Sequence, residues 1–301
     1  MAARRKKGRN LSGWLLVDKP AGLTSAAVVN KARWLLDAKK AGHAGTLDPA
    51  ATGLLVIAFG EATKCLPFIS DAAKAYDFTV RWGQATNTDD AEGQVIATAD
   101  TRPSNQDILT ALPALTGDIM QVPPKFSAVK IDGQRAYKLA RDGEDLQLAA
   151  RPLQVDALDL LDSPDPDHAR LRLVCGKGGY VRAIARDLGA ALGCHGHVAT
   201  LSRIWSGPFT LDTAIDWPED PDPVTVEAAL LPIEAGLSGV DEVRVADANL
   251  GPLKHGNPVE VTWSECENGG LCWASVSGIA IALGTYKFGH FYPNRVLNSA
   301  V

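Results

Sequence analysis

Residues 54–59 read Leu-Leu-Val-Ile-Ala-Phe, six apolar side chains in a row. A run of that length suits a strand, and without polar alternation it must be covered on both faces. The twelve residues before it, 42–53, read Gly-His-Ala-Gly-Thr-Leu-Asp-Pro-Ala-Ala-Thr-Gly, with one aspartate, one histidine and no lysine or arginine. Pro49 restricts Asp48 to extended backbone and denies helix there. Gly42, Gly45 and Gly53 permit sharp turns or close approach by another molecule. One carboxylate is thus expected on a tight loop at the mouth of a core strand, where catalytic groups are commonly presented. Taken alone, an Asp-Pro pair in a glycine-rich loop is most often a turn former. Its meaning depends on what else the chain carries.

With 301 residues, 46% of them hydrophobic, the chain has enough material for one large domain and a small one. No apolar run reaches membrane-spanning length and no signal-peptide pattern opens the chain, so a cytoplasmic protein is expected. The five cysteines are scattered, without a Cys-x-x-Cys, which fits a reduced protein better than a disulfide scaffold. Cys194-His195-Gly196-His197 lacks a second ligand pair at finger-like spacing, so no metal is expected. The net charge of −5 argues at first against a polyanionic partner, but the charge is unevenly placed. Arg4, Arg5, Lys6, Lys7 and Arg9 form a basic start, read as a disordered tail over residues 1–10, while residues 212–242 carry nine acids and no base. What lies between is near neutral, and affinity for nucleic acid depends on local basic surface rather than on the total.

Along the chain, residues 13–17 read as a strand and residues 18–25 as a loop, with Thr24 or Ser25 capping a helix that runs to about Lys39. A short helix with Lys64 in it follows the central strand. Residues 76–83 alternate as a strand, and residues 94–98 are expected to return against it as a hairpin. The threonines and acids of the polar loop between them read as turn chemistry rather than a metal site. A helix from about Ser104 and a strand from Ile119 follow. Residues 155–161 and 171–175 read as paired strands, and residues 176–188 as glycines opening into an amphipathic helix. That segment has neither a P-loop nor a dinucleotide fingerprint, so no nucleotide cofactor is expected. Residues 197–205 make another strand. Beyond an acidic, proline-rich connection with a short helix near residues 226–231, short strands and glycines after about residue 240 suggest a small all-β module.

Residues 123–141 are the basic segment hidden by the total charge. Lys125, Lys130, Arg135, Lys138 and Arg141 face a single acid, Asp132. Asp132-Gly133 signals a hairpin turn, after which Arg135, Lys138 and Arg141 fall three apart, near one helical face. Such a projection suits an RNA backbone, though a solvated helix face explains the same spacing. Common hydrolytic motifs are missing. A lone aspartate without metal serves as nucleophile or as a base toward a modest proton, a nearby arginine keeps it ionised, and a tyrosine stacks on a base. Together these suit cofactor-free chemistry on a nucleobase.

The stretch 42–64, Gly-His-Ala-Gly-Thr-Leu-Asp-Pro through Ala-Thr-Gly-Leu-Leu to Gly-Glu-Ala-Thr-Lys, resembles the hallmark of the TruB family of tRNA pseudouridine synthases. Residues 18–25, Tyr76, residues 123–141, residues 177–188 and Leu201-Ser202-Arg203 resemble further family motifs in order, so that the resemblance covers about residues 11–210. It implies an α+β (mixed α/β) catalytic domain on a central, largely antiparallel sheet with flanking helices, spanning residues 11–238 with a basic RNA-clamping insertion at about 123–152. A PUA-like, all-β RNA-binding module is implied over residues 239–301. The implied reaction converts uridine 55 in the T loop of tRNA to pseudouridine, without cofactor or metal, in a monomer. By motif position Asp48 is the nucleophile; attack at C1′ of the ribose, attack at C6 of the uracil, and initial proton abstraction at the ribose remain open. Arg182 would pair with Asp48, Tyr76 would stack on the flipped uracil and Tyr180 would line its pocket. Leu201 would supply backbone contacts, His43 would fill space vacated in the T loop, and Lys19 and Lys64 join the substrate-binding set. Flipping is required because a stacked loop hides the glycosidic bond. A non-catalytic tRNA-binding or folding factor is the alternative, against which Asp48, Tyr76 and Arg182 speak. An rRNA enzyme working within a guide-RNA complex is disfavoured by the lack of low-complexity basic tails.

Overall fold

The fold was taken from a computed structural model that describes residues 8–127, 129–131, 134, 135, 137, 139 and 147–298. Strand β1 (Gly13–Lys19) leads through a loop to helix α1 (Ser25–Leu35), then β2 (Ala41–His43), the core strand β3 (Thr52–Phe59) and helix α2 (Leu66–Asp71). Strands β4 (Lys74–Trp82), β5 (Gln84–Thr86) and β6 (Val95–Thr98) precede helix α3 (Asn105–Ala111) and β7 (Gly117–Gln121). Two short strands, β8 (Lys130–Ile131) and β9 (Gln134–Arg135), are followed by the long β10 (Arg151–Asp165), β11 (His168–Cys175), helix α4 (Val181–Ala191) and β12 (Gly196–Ser206). The remainder comprises β13 (Phe209–Thr210), β14 (Ile215–Asp216), helix α5 (Pro223–Ala228), β15 (Glu242–Arg244), helix α6 (Leu250–Lys254), β16 (Val259–Glu260), β17 (Trp263–Ser264), β18 (Leu271–Val276), β19 (Ile279–Lys287) and β20 (His290–Val296).

Two compact units emerge. One holds the chain up to Pro49, Gly53–Asp71 and the chain from Trp205 onward; the other holds Ala50–Thr52 and Ala72–Ile204. In the first, β3 pairs antiparallel with β1 from Gly13↔Phe59 to Lys19↔Gly53, and with β2 through His43↔Ile57. Strand β14 joins the far edge of β1 in parallel. As expected of an uninterrupted apolar run, every residue from Leu54 to Phe59 is fully enclosed. Leu54, Val56 and Ala58 pack with Trp14, Phe209, Trp273, Leu283 and Leu297. The all-β strands near the C-terminus form a sheet ordered β16-β20-β19-β18-β15-β17, with a second core of Val243, Leu253, Cys272, Ile281 and Phe291. The β19–β20 hairpin closes through Phe288 and Gly289, both left-handed (φ 46° and 80°), with Lys287 opposite His290.

In the second unit the strand order is β12-β4-β11-β10-β7, and β4, β11, β10 and β7 pair antiparallel in turn. The expected hairpin between residues 76–83 and 94–98 takes another form, because β6 pairs with β5 and both edges of β4 are taken, one by β11 from Lys74↔Cys175 to Arg81↔His168 and the other by β12. Gly83, at φ 82°, bends the chain between β4 and β5. Strands β10 and β11 also run further than expected, continuing to Asp165↔His168. Thr24 caps α1, its hydroxyl accepting from the Ala27 N–H at 3.0 Å.

Arg135 lies in a strand, β9, rather than on a helical face, because Lys130 and Ile131 pair antiparallel with it and Gln134. Lys138, Arg141 and the tail residues Arg4, Arg5, Lys6 and Lys7 lie outside the described residues. The expected disorder over residues 1–10 does not hold for Arg9. Its N–H donates to the Asp37 carbonyl, its carbonyl accepts from the Lys39 N–H, and its guanidinium pairs with Glu227. No described helix is long and apolar enough to cross a membrane. Burial pushes the thiols of Cys65 and Cys272 up to about 12 and that of Cys175 up to about 11, and all five cysteines are free and buried.

Candidate active site

Asp48 sits half-buried in the connection between β2 and β3. The turn into that connection is made at Gly45 (φ 93°) and the turn out of it at Gly53 (φ 94°), conformations that a side chain would strain. Its two neighbours are each fixed. On one side the buried Ser25 Oγ accepts the Leu47 N–H at 2.8 Å and donates to the Leu47 carbonyl at 3.0 Å. On the other, the Pro49 carbonyl accepts from the Gly22 N–H at 2.8 Å and from Lys19 Nζ at 3.1 Å. Lys19, at 0% exposure, also donates to the carbonyls of Pro20 and Leu23, at 2.9 and 2.8 Å. A buried ammonium is tolerable only when such acceptors replace its water. Asp18 finishes the frame by accepting the Gly53 N–H at 3.1 Å. The aspartate's backbone is therefore held from both sides while its side chain keeps partial access to solvent.

His43 occupies the last position of β2 and is half-buried. Lys64 donates to Glu61 and to the Val296 carbonyl, both at 2.6 Å. Glu61 also accepts the Asn298 N–H at 2.7 Å. Burial works against the Glu61 carboxylate, but these bonds hold it below its ordinary range.

In the second unit, Tyr76 lies on β4 with little exposure. It hydrogen-bonds to the enclosed guanidinium of Arg203 on β12, and burial pushes that arginine below its ordinary value while Tyr76 opposes the shift. Tyr180 precedes α4, and its backbone is gripped by one buried side chain. Its N–H donates to Gln121 Oε1 at 2.9 Å, and its carbonyl accepts from Gln121 Nε2 at 3.2 Å. The Leu201 carbonyl accepts from the Thr52 hydroxyl at 3.3 Å. Lys125 is exposed.

Arg182, in the first turn of α4, is 7% exposed. It donates to the carbonyls of Thr88 and Phe126 at 3.0 and 2.9 Å and pairs with Asp90 at 3.3 Å. The loop over residues 87–93 therefore holds more than turn chemistry, because its Asp90 meets an arginine far along the chain. Gln121 and Asp90 are residues that the sequence did not single out, and Ser25, read there only as a candidate helix cap, instead holds Leu47. Only the acid content of that loop and the arginines of α4 hinted at any of them.

Residues 33–181 match the family model described as "TruB family pseudouridylate synthase (N terminal domain)", and residues 182–238 match "tRNA pseudouridylate synthase B C-terminal domain". The tRNA pseudouridine synthase B of Ruegeria pomeroyi is 61% identical over 300 residues, covering 98% of each chain. The chain belongs to the TruB family of pseudouridylate synthases, which are isomerases. Similar relatives of this TruB-family chain include the tRNA pseudouridine synthase B of Dinoroseobacter shibae, 58% identical over 97% of each chain. Among solved structures, a chain of a Cbf5-Nop10-Gar1 complex superposes with a TM-score of 0.73 at 23% identity, covering 95% of this chain and 84% of that one. A chain from an H/ACA RNP bound to a substrate RNA gives 0.73 at 20% identity, over 99% and 92%. These likenesses establish the mixed α/β pseudouridine synthase fold, to which the all-β sheet near the C-terminus adds a PUA-like part.

Proposed function

We propose that this TruB-family chain converts uridine 55 in the T loop of tRNA to pseudouridine, with Asp48 as nucleophile on a flipped-out base. The observation that carries this reading is the half-buried carboxylate of Asp48, held at a strand mouth by fixed neighbours on both sides, Leu47 on Ser25 and Pro49 on Lys19. Relatives at 58–61% identity named tRNA pseudouridine synthase B supply the substrate class. In the reaction the N1–C1′ bond breaks, the uracil turns, C5 bonds to C1′, the C5 proton leaves and N1 gains one. Nothing is oxidised or reduced. A carboxylate at the glycosidic centre meets that demand by attack at C1′ or C6, or by removing a ribose proton. Arg182 pairs with Asp48 and favours its ionised form, Tyr76 stacks on the uracil, and Tyr180 and Leu201 line the pocket. His43 fills the gap left in the T loop, and Lys64 helps to hold the RNA, while Lys19 acts by fixing the catalytic loop. Lys125, Lys130, Arg135, Lys138 and Arg141 hold the backbone phosphates.

An unmodified elongator tRNA transcript, incubated with the wild-type chain and mapped for pseudouridine, is expected to carry it at position 55. Tight binding without product would overturn the enzymatic reading in favour of a tRNA-folding factor, and product elsewhere would overturn the position.

The residues from 239 to 301 act as an RNA-binding module. Phe288 is 85% exposed in left-handed backbone at the tip of the β19–β20 hairpin, its N–H held by Asn268 Oδ1 at 3.0 Å. Tyr292 is also exposed, and residues 279–296 contain Lys287, His290 and Arg295 but no acid. An exposed aromatic beside basic groups suits base stacking. Phe288→Ala is expected to raise the Kd for full-length tRNA by roughly 5- to 10-fold, leaving the rate at saturation unchanged. An unchanged Kd would remove this hairpin from the RNA contact.

A further inference from the structure

Helix α4 carries a second arginine one turn beyond Arg182, and the proposed reaction makes no use of it. Arg186 Nη1 donates to Asp89 Oδ2 at 3.0 Å, Nε to Asp187 Oδ1 at 2.9 Å, and Nη2 to the Val122 carbonyl at 2.8 Å. Arg182 bridges the same two segments, reaching Thr88 and Asp90 on one side and Phe126 on the other. The two arginines are four residues apart and so lie on one face of the helix. Between them they staple the loop over residues 87–93 to the stretch over residues 122–126, from which the basic segment departs.

Asp89 adjoins Asp90 and sits in left-handed backbone (φ 61°). A non-glycine residue stays there only when its surroundings hold it. Its side chain is mostly enclosed, and burial pushes its carboxyl up while Arg186 opposes the shift. The backbone on either side is tied as well, since the Val198 N–H donates to the Asp89 carbonyl at 3.1 Å and Thr88 Oγ1 bonds to Asp90. The guanidinium of Arg186 is thus the charged group bonded directly to the carboxylate of this left-handed residue, whose neighbour Asp90 pairs with Arg182.

We propose that Arg186, through Asp89, is a positioning residue that sets the geometry of the Asp90–Arg182 pair for the isomerisation and couples it to the base of the RNA-holding segment. The inference rests on the reaction proposed above. Arg186 does not touch the RNA. Its removal lets Asp90 shift, and Arg182 shifts with it.

The test compares wild type, Arg186→Gln, Arg186→Lys, Asp89→Asn, Asp90→Asn and the double variant Arg186→Gln/Asp90→Asn, by single-turnover pseudouridine formation and by tRNA binding. Arg186→Gln is expected to slow the saturated rate by about 100-fold, the scale of an ångström of misplacement, with the Kd within about threefold of wild type. Arg186→Lys keeps the charge and recovers part of the rate. Asp89→Asn tolerates the left-handed backbone and removes only the charge, so it slows the reaction even should Arg186→Gln fail to fold. The double variant is expected to be no slower than the slower single one, because both changes act through one unit. Rates within about twofold of wild type for both Arg186→Gln and Asp89→Asn, or strictly multiplicative effects in the double variant, would overturn the proposal. A loss confined to Kd would also overturn it, making Arg186 part of RNA binding. Should wild type itself form no pseudouridine, the reaction fails and this inference with it; wild-type activity matched by both Arg186→Gln and Asp89→Asn defeats the inference while leaving the reaction standing.

Discussion

Asp48→Asn protein is expected to form no measurable pseudouridine in a tRNA transcript that the wild type modifies, while binding that transcript within about threefold as tightly. The carboxamide has nearly the shape of the carboxylate but is neither a nucleophile nor a base at neutral pH. Removing an essential catalytic group of this kind costs at least about 10⁴-fold in rate. The loop itself should survive, because its anchors belong to other residues: Ser25 holds Leu47, and Lys19 and Gly22 hold Pro49. The C5 proton of the uridine must leave during the reaction, so tritium release from 5-labelled uridine in the transcript follows it directly. A rate within tenfold of wild type would show that Asp48 is a turn former after all, and loss of binding with loss of rate would make it a scaffold residue.

Arg182→Met is expected to damage both rate and stability. The guanidinium neutralises Asp90 and satisfies the carbonyls of Thr88 and Phe126, and the side chains of both members of the pair are only 9% and 14% exposed. Removing one partner of a buried pair costs about 3–5 kcal/mol, seen as a lower denaturation midpoint at unchanged slope. If Arg182 serves Asp48 as proposed, the rate should fall by about 10³-fold, the scale for losing a preorganised charge at a reacting centre. Arg182→Met/Asp90→Leu separates the two losses, since replacing both members by apolar groups restores most of the stability and none of the rate. A single variant destabilised by less than about 1 kcal/mol would mean that Asp90 does not depend on this arginine.

What the chain reveals before folding is mainly local. The run over residues 54–59 announces a doubly covered strand because no polar residue interrupts it, and β3 is that strand. The aspartate in its glycine-rich loop is equally visible, since turn chemistry is written in neighbouring residues. Pairings across distance are not written there. Asp89 and Asp90 look like ordinary turn acids until α4 brings Arg182 and Arg186 to them from more than ninety residues away. Lys19 at the end of β1 looks like a charge available to RNA, yet it donates to three carbonyls, two because the chain turns back at residues 20–23 and the third, that of Pro49, from the connection between β2 and β3. Spacing by threes from Arg135 suggests a helix, but Arg135 is taken up by antiparallel pairing with Lys130. A period shared by helix and coil is decided by such pairing, not by the spacing itself.

Ser25 belongs to the first turn of α1, and its hydroxyl is spent on Leu47 in both directions. The Asp48 carboxylate consequently has no hinge of its own in the backbone that carries it. To swing Asp48 away, the protein must fray the start of a helix whose inner face, Val28, Val29 and Ala32, is sealed in apolar packing. The loop borrows its stiffness from that helix, so on the reaction proposed for Asp48 the RNA has to come to the carboxylate rather than draw it out.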